Sequence, residues 1–313
     1  MDKVLNEITL GDFADIIGTN ENDIPEECRD LFLSHNFKYR KLTPDKEEKL
    51  MKEIGFEIDS GKFNVAGKAK QPKWDAGWKE NLDDFTKSNF SLDALMPKYV
   101  RPVKAMRLNS GYVAPEDPNF EFNLRSALKC YLFNKYLRGV NPIYEFGCGP
   151  AINLIPLAKM FPEKTFHGLD WVEAPKKIVD LLAEKQGWKM KGHVFDMFSP
   201  DYNFKLEKGS GVLLFSALEQ LGTDFGVFLD YLIANKPEIV LHIDSLQELY
   251  DRSNPFDNLA YKFSEKRNYL TGYVTKIKEL EQDGKIEILK IQRVNFGHMQ
   301  YFDGYSYDVW RPL

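Results

Sequence analysis

Several features are scarce in this sequence, and each scarcity disfavours a class of protein. No stretch approaches the ~20 consecutive apolar residues that a membrane-spanning helix needs, so no membrane partner is predicted. Acidic residues outnumber basic ones, and the formal net charge is −5. Nucleic-acid binding usually requires a clustered positive surface. A nucleic-acid partner is therefore disfavoured, although a local basic groove is still allowed.

Cysteine is rare as well. Cys28, Cys130 and Cys148 are far apart along the chain and show no metal-ligand spacing. An odd number of scattered thiols is typical of a reducing compartment. The first residues also lack the basic start and apolar run of a signal peptide. The sequence therefore predicts a soluble, cytoplasmic protein.

The chain is organised around residues 142–159, which predict a strand, a tight turn and a helix in that order. Residues 143–146 are suited to a buried strand. Gly147, Cys148 and Gly149 form the turn, and apolar residues at helical spacing follow it. Glycine lets the backbone approach a ligand closely, and a helix N-terminus presents free N–H groups. Together these features predict a nucleotide-type pocket.

The residues around the turn indicate which nucleotide is bound. A dinucleotide fingerprint would place a third glycine at position 152, which is Ile152. Glu145 precedes the first glycine by two residues, and its carboxylate would repel a pyrophosphate but suit a cationic ligand. The pattern resembles motif I of the class I S-adenosylmethionine (SAM)-dependent methyltransferases, acidic-x-Gly-x-Gly-x-Gly. Ala151 replaces the last glycine after Pro150, and alanine is small enough to preserve binding.

Three later strand ends carry polar residues at positions that this family uses. Asp170, followed by Trp171, ends a second strand near the spacing at which a carboxylate takes ribose hydroxyls. Asp196, followed by Met197, ends a third strand, where the family often holds the adenine amino group. Ser216 follows a fourth strand. These positions strengthen the resemblance, which covers roughly residues 118–313.

The resemblance implies a fold and a cofactor. The fold is α/β and Rossmann-like: a seven-stranded, mostly parallel sheet with helices on both faces and a last strand inserted antiparallel at the edge. The cofactor is SAM, and the product is S-adenosylhomocysteine (SAH). The cofactor-binding residues that the resemblance implies are Glu145, Gly147, Cys148, Gly149, Asp170, Trp171, Asp196, Met197 and Ser216.

Two segments precede the methyltransferase-like region. Residues 1–65 predict a helical module, which is more typical of a packing or dimerisation arm than of a catalytic element; a homodimer is therefore one expectation. Residues 66–117 are rich in proline and glycine and predict an irregular lid or connection. Within it, Trp74 and Trp78 either cover the acceptor site or pin the connection onto the core.

Methyl transfer from a sulfonium needs an acceptor held in line and a base wherever a proton is lost. Ligands of open α/β sheets bind beyond the carboxyl ends of the strands, where three candidate bases follow predicted strands. His242 is the first candidate because histidine titrates near neutral pH, and Glu219 and His298 are the others. For each, the alternative is structural: a hydrogen-bonded buried histidine, or a carboxylate that caps a helix.

The acceptor side of the predicted site is less defined. Arg101 and Arg107 are candidates to recognise an anionic acceptor, and Tyr269 belongs to a tyrosine-rich insert that would supply aromatic walls with Trp74 and Trp78. Acids at three strand ends could converge on a divalent cation, namely Asp196, Glu219 and Asp244. Their spacing is not diagnostic, so metal dependence stays open.

Two motifs of base-methylating enzymes are absent, the Asp/Asn-Pro-Pro-Tyr motif and a Pro-Cys nucleophile. The sequence is loosely similar to bacterial methyltransferases of sugar or surface-polysaccharide pathways. We therefore expect O-methylation of a small polar metabolite. A protein methyltransferase and a SAM-binding regulator without turnover are the alternatives.

Overall fold

A computed structural model describes residues 4–98, 104–297 and 300–313 of the chain. The first part is mostly helical, as predicted, and also contains two short strands. In chain order its elements are β1 (Asn6–Glu7), α1 (Leu10–Ile17), α2 (Glu26–Leu33), β2 (Lys38–Lys41) and α3 (Pro44–Asp59). Helix α1 begins at Thr9, whose hydroxyl accepts a hydrogen bond from the N–H of Asp12 while the Asp12 carboxylate accepts one from the N–H of Thr9. This reciprocal capping satisfies N–H groups that a helix start otherwise leaves free.

The next segment contains a 17-residue helix, α4 (Gln71–Lys87), where irregular structure was predicted. Pro72 lies in its first turn, where the missing N–H costs no hydrogen bond. The buried residues Trp78, Asn81 and Phe85 recur at helical spacing along it. The prediction of an irregular segment was wrong because frequent prolines and glycines do not outweigh that spacing when the proline lies at a helix start.

Strands β3 (Met106–Leu108) and β4 (Gly111–Pro115) complete a small antiparallel sheet. Its strand order is β1-β2-β4-β3. The 17-residue helix and this sheet lie in the part of the chain before the methyltransferase-like region.

Strands and helices alternate through most of the remaining chain. The elements are α5 (Phe120–Leu132), β5 (Ile143–Phe146), α6 (Leu154–Met160), β6 (Phe166–Asp170), α7 (Glu173–Gln186), β7 (Met190–Val194), β8 (Gly211–Phe215), α8 (Gly226–Asn235), β9 (Ile239–Asp244), α9 (Pro255–Arg267), α10 (Tyr273–Gln282), β10 (Ile286–Gln292) and β11 (Ser306–Pro312). A π-helical stretch, Phe133–Leu137, extends α5. Short 3-10 turns lie at Glu21–Asp23, Lys68–Lys70, Leu92–Leu95, Leu218–Leu221 and Gln247–Leu249.

The seven later strands form one sheet in the order β10-β11-β9-β8-β5-β6-β7. Neighbours from β9 to β7 pair in parallel, whereas β11 pairs antiparallel with both β9 and β10. The predicted α/β fold with a mostly parallel seven-stranded sheet is confirmed. One detail differs: the last strand lies between β9 and β10, so β10 rather than β11 occupies the edge.

Both faces of the sheet are covered. Successive residues of a strand point to opposite faces, and Ile143 and Tyr144 of β5 accordingly join two different hydrophobic clusters. Ile143 packs in the cluster that contains Ile178 of α7, and Tyr144 in the cluster that contains Phe228 of α8. Covering on both faces explains why β5, β8 and β9 are buried along their whole length.

A disulfide joins the N-terminal part to the main sheet. Cys28 of α2 and Cys130 of α5 are bonded, with their Cα atoms 5.5 Å apart. The expectation of three scattered thiols is therefore corrected, because α2 packs on α5 and brings together residues 102 positions apart. Cys148 is the remaining thiol and is buried. Among the described residues, no helix has the length and apolar character to cross a membrane.

A buried ion-pair cluster makes a second connection between the small sheet and the C-terminal part. Arg107 of β3 donates to Asp303 Oδ1 at 2.8 Å, to the carbonyl of Phe256 at 3.0 Å and to Asp257 Oδ1 at 3.3 Å. Arg293 donates to the same two carboxylates at 2.6 and 2.9 Å. The Arg107 side chain is 0% exposed, so its charge depends on these partners rather than on water.

We predict that Arg107→Met destabilises the protein by about 3–5 kcal/mol, because removing one partner leaves buried carboxylates undercompensated. Urea unfolding followed by circular dichroism measures the change. Arg311→Met is the matched control, since Arg311 pairs with Glu287 at the surface and its loss should cost less than about 1 kcal/mol. Equal losses for the two variants would contradict a structural role for the buried cluster.

Candidate functional site

An open cleft lies beyond the carboxyl ends of four neighbouring strands, β7, β6, β5 and β8. Each strand end contributes lining residues: Phe195 and Met197 after β7, Asp170 on β6, Gly147 after β5 and Ser216 after β8. The cleft, counted with the space that is open to solvent, holds about 510 Å³. The strand order reverses at β5, so the cleft lies at the topological switch point where open α/β sheets bind ligands.

The turn after β5 has the backbone conformation that glycine favours. Gly147 and Gly149 have φ of +74° and +49°. A Cβ on Gly147 would lie 2.4 Å from the Cβ of Ala217, so a side chain there would close the gap between β5 and β8. Ala151 has φ of +64°, a conformation that costs a non-glycine residue about 1–2 kcal/mol. The turn thus keeps a glycine-like backbone at Ala151, where this chain has alanine in place of the motif's last glycine.

Asp170 connects the turn to the second strand. Its Oδ2 accepts a hydrogen bond from the N–H of Gly149 at 3.1 Å. Its Oδ1 is buried, and no described residue donates to it. Burial raises the pKa of Asp170 to about 7, although backbone hydrogen bonds partly oppose this increase. An unsatisfied oxygen of this kind at the edge of a cleft is suited to a hydroxyl-bearing ligand.

The structure places Glu145 beneath the turn rather than among the cleft-lining residues. It is 0% exposed, and its Oε1 accepts a hydrogen bond from Asn153 Nδ2 at 2.7 Å. Lys129 donates to Asn153 Oδ1 at 3.2 Å. Burial raises the pKa of Glu145 to about 8 and lowers that of Lys129 to about 7. Asn153 and Lys129 were not predicted, because an amide just before α6 and a lysine within α5 show no distinctive spacing in the sequence.

Two other predicted cofactor residues lie next to the cleft without lining it. The Cys148 thiol is buried, and burial raises its pKa well above the usual value. Asp196 follows β7, and its Oδ1 accepts a hydrogen bond from the N–H of Phe198 at 2.8 Å. That bond shapes the loop that presents Met197 and Phe198 to the cleft.

Aromatic side chains of α4 and of the β6 end enclose the cleft. Trp74 and Trp78 both line it and stack with ring centroids 5.2 Å apart. Trp78 lies against the turn, because a Cβ on Gly149 would be 3.0 Å from its Cζ2 atom. Trp171 stacks on Phe198 at 5.7 Å. The two tryptophans therefore line the cleft, and Trp78 also packs on the core; a role in covering the acceptor site stays a prediction.

Five lining residues were not predicted: Phe195, Phe198, Ala217, Gln220 and Leu221. Each is within two residues of a polar position that the sequence singled out. The residues that flank the polar positions at predicted strand ends therefore also indicate the lining of the cleft.

A pair of buried carboxyl groups lies beside the β8 end of the cleft. The backbone N–H of Glu219 donates to Asp244 Oδ2 at 3.0 Å. Gln220, which lines the cleft, donates from Nε2 to Glu219 Oε1 at 3.0 Å. Burial first, and then the charge of Asp244, raise the pKa of Glu219 well above its usual value. The ionised form of Glu219 is therefore disfavoured directly behind the cleft wall, which makes Glu219 a stronger base whenever it is ionised.

His242 lies one step farther from the cleft. It is 0% exposed, with Nδ1 2.7 Å from Asp308 Oδ2 and Nε2 3.5 Å from Asp244 Oδ2. Burial alone would lower its pKa, but Asp308 and Asp244 raise it to about 9. The predicted first-choice base is thus a protonated histidine held between β9 and β11, and its connection to the cleft runs through Asp244 and Glu219.

The remaining predicted site residues are dispersed. Arg107 is not brought to the cleft, since its guanidinium is enclosed in the ion-pair cluster described above. Tyr269 is buried and its hydroxyl accepts a hydrogen bond from Arg267 Nη2 at 2.7 Å. His298 and Arg101 lie outside the described residues. Within residues 4–98, 104–297 and 300–313, no three His, Cys, Asp or Glu side chains are grouped to hold a metal ion.

We predict that Asp308→Asn lowers the pKa of His242 by about 1–3, because burial then opposes the charge with one carboxylate fewer. In the parent protein the raised pKa makes this pair stabilising below the histidine's ordinary pKa, and that stabilisation is lost as pH rises through about 9. Proton NMR titration of the histidine ring measures the pKa. Glu287→Gln on β10 is the control and should leave it unchanged; an unchanged value in Asp308→Asn would contradict the assignment.

No family model and no curated protein matches the sequence. Solved structures that are similar over part of the chain include an O-methyltransferase of neocarzinostatin biosynthesis, NcsB1, in complex with SAM and 2-hydroxy-5-methyl naphthoic acid. It has 13% identity and a TM-score of 0.41, covering 63% of this chain and 59% of that one. The mitomycin 7-O-methyltransferase MmcR gives the same values. Magnesium protoporphyrin IX methyltransferase from Synechocystis PCC 6803 has 13% identity and a TM-score of 0.41, covering 60% of this chain and 80% of that one.

Proposed function

We propose that the protein is a class I SAM-dependent methyltransferase. The observation that carries this proposal is the joining of the acidic-x-Gly-x-Gly turn to Asp170 by a hydrogen bond, within a cleft at the switch point of the sheet. The antiparallel insertion of β11 accords with the family that the sequence resembles.

The residues around the cleft fit the parts of SAM. The free oxygen of Asp170 suits the ribose hydroxyls, and Phe195, Met197 and Phe198 suit the adenine ring. The turn at Gly147 allows close approach of the backbone. When bound, SAM supplies a methyl group on a positively charged sulfur, and that sulfur retains the carbon–sulfur electron pair as the methyl leaves.

The protein's own contribution to the reaction is proton removal, positioning and exclusion of water. An acceptor hydroxyl would pass its proton to ionised Glu219, with its oxygen forming the new bond to the methyl carbon. Burial and the nearby charge of Asp244 make the ionised form of Glu219 more basic. His242 acts as a positioning residue, because it holds Asp244 from the side away from the cleft. Trp74 and Trp78, which line the cleft, exclude water from it.

The acceptor that we propose is a small polar metabolite, methylated on oxygen. The aromatic lining of the cleft by Trp74, Trp78 and Trp171 supports a small molecule rather than a polymer. A sugar or a surface-polysaccharide precursor stays within this proposal.

A homodimer and a cytoplasmic location are further proposals from the sequence. The disulfide between Cys28 and Cys130 counts against a reducing compartment.

Calorimetry with SAH tests cofactor binding. We predict that the protein binds SAH and that Asp170→Asn weakens the affinity about 10- to 100-fold, because hydrogen bonds to a charged group contribute about 1.5–3 kcal/mol. Asp224→Asn, an exposed carboxylate at the start of α8, is the matched control and should bind normally. No heat with SAH in the parent protein would refute the proposed function.

Transfer of label from methyl-labelled SAM to fractionated metabolites tests catalysis. We predict that Glu219→Gln lowers transfer to the labelled metabolite by about 100-fold or more, because it removes the proton acceptor, while SAH affinity is preserved. Unchanged transfer would exclude Glu219 as the base. Label in lysate proteins alone would favour a protein methyltransferase, and SAH binding without any labelled product would favour a regulator.

A further inference from the structure

We propose that Lys70 and Arg267 form an anion-binding site at the rim of the cleft, which holds a carboxylate or phosphate group of the methyl acceptor. The assignment of the anion to an acceptor rests on the proposed function. The anion site itself rests on the placement of two cations that have no carboxylate at ion-pair distance among the described residues.

Lys70 ends the 3-10 turn that leads into α4, and its side chain is only 8% exposed. Its ammonium lies 5.8 Å from the ring centroid of Trp74, which lines the cleft. Within the described part of the chain, the ammonium of Lys70 forms no hydrogen bond and no ion pair. A lysine whose stem is buried but whose charge has no partner differs from an ordinary solvated surface lysine.

Arg267 ends α9 and lies next to the segment that carries Lys70. Its carbonyl accepts a hydrogen bond from the N–H of Ala66 at 2.7 Å, which joins the two segments. Its guanidinium donates from Nη2 to the Tyr269 hydroxyl at 2.7 Å and lies 4.8 Å from that ring. Its Nε is buried, and no described residue accepts a hydrogen bond from it. The donor is therefore available to a ligand.

The positive charges of Lys70 and Arg267 are not balanced by direct ion pairs with described residues. Burial, followed by the nearby charge of Arg267, lowers the pKa of Lys70 to about 8, and the effect of Glu219 only partly opposes this. Arg107 and Arg293 show the contrast, since both are paired directly with carboxylates. Two neighbouring cations that Glu219 offsets only in part, with no carboxylate at ion-pair distance among the described residues, are costly unless an anion joins them.

The position of the site suggests its use. Gln220 lines the cleft, donates to Glu219, and has a buried Oε1 to which no described residue donates. An acceptor held by its anionic end at Lys70 and Arg267 would therefore place polar groups beside Gln220 and Glu219. This arrangement predicts a small acceptor that carries both a hydroxyl group and an acid group.

Titrations of isotope-labelled, SAH-saturated protein with sodium acetate and with inorganic phosphate test the site by NMR. Sodium chloride at matched ionic strength is the blank. At least one anion should saturate and shift the Arg267 Nε–H signal together with backbone amide signals of residues 66–71, and those amide signals are the ones compared in Arg267→Met. The identity of the anion distinguishes a carboxylate from a phosphate. Lys70→Met and Arg267→Met should each weaken saturation about tenfold or more, and Lys70→Arg should restore it. Binding should also weaken at higher salt.

Lys62→Met is the matched control, because Lys62 is exposed outside the cleft, and it should leave anion affinity unchanged. Saturation by neither anion, or saturation that survives both Met variants, would overturn the proposal. Circular dichroism checks that the variants are folded, and Lys70→Arg separates loss of charge from loss of packing. If SAH binds but neither anion does, the anion site fails while the proposed function stands; if SAH fails to bind, the proposed function fails, and the titration without SAH still decides the anion site.

Discussion

The hydrogen bond from the Gly149 N–H to Asp170 is the contact on which the site depends. It links the turn after β5 to the end of β6, so that two strands present one continuous surface to the cleft. The bond is possible because Gly149 adopts a positive φ that turns its N–H toward the neighbouring strand. It uses one oxygen of Asp170 and leaves the other unpartnered at the cleft. Packing of Trp78 on the same glycine then places α4 over the turn.

Several buried charged groups away from the cleft are paired directly with opposite charges. Arg107 and Arg293 share two carboxylates, and His242 lies between Asp308 and Asp244. Such pairing offsets the cost of removing charges from water. At the cleft, by contrast, a carboxylate oxygen of Asp170 is buried without a described partner, and so is the Nε of Arg267 beside the segment that leads into α4. Groups of this kind are suited to a polar ligand.

Much of the fold could be predicted from the sequence because it is encoded locally. The apolar residues at 239–241 and 243 are typical of a buried strand, and β9 is buried along its whole length. Pro175 lies in the first turn of α7, a position at which proline is typical of a helix start. Positions of Asp170 and Gly147 at the cleft were also predictable, since the carboxyl ends of neighbouring parallel strands meet at one edge.

What could not be predicted depends on pairing between distant residues. From its residue type, Arg107 is a candidate ligand for an anion, but in the structure it is paired with Asp303, 196 residues away. From its residue type, His242 is a candidate base, but in the structure Asp308 on the neighbouring strand β11 keeps it charged. The bond between Cys28 and Cys130 likewise follows from packing of two helices. A sequence records the residue types, but whether a charged side chain serves a ligand or a neighbour is decided by the tertiary structure.

The most direct measurement of the central claim is a crystal structure of the protein with SAH bound. We predict that the ribose hydroxyls contact Asp170, that the adenine lies against Met197 and Phe198, and that Trp74 covers the nucleoside. SAH bound at another surface, or bound in the cleft without any contact to Asp170, would contradict it.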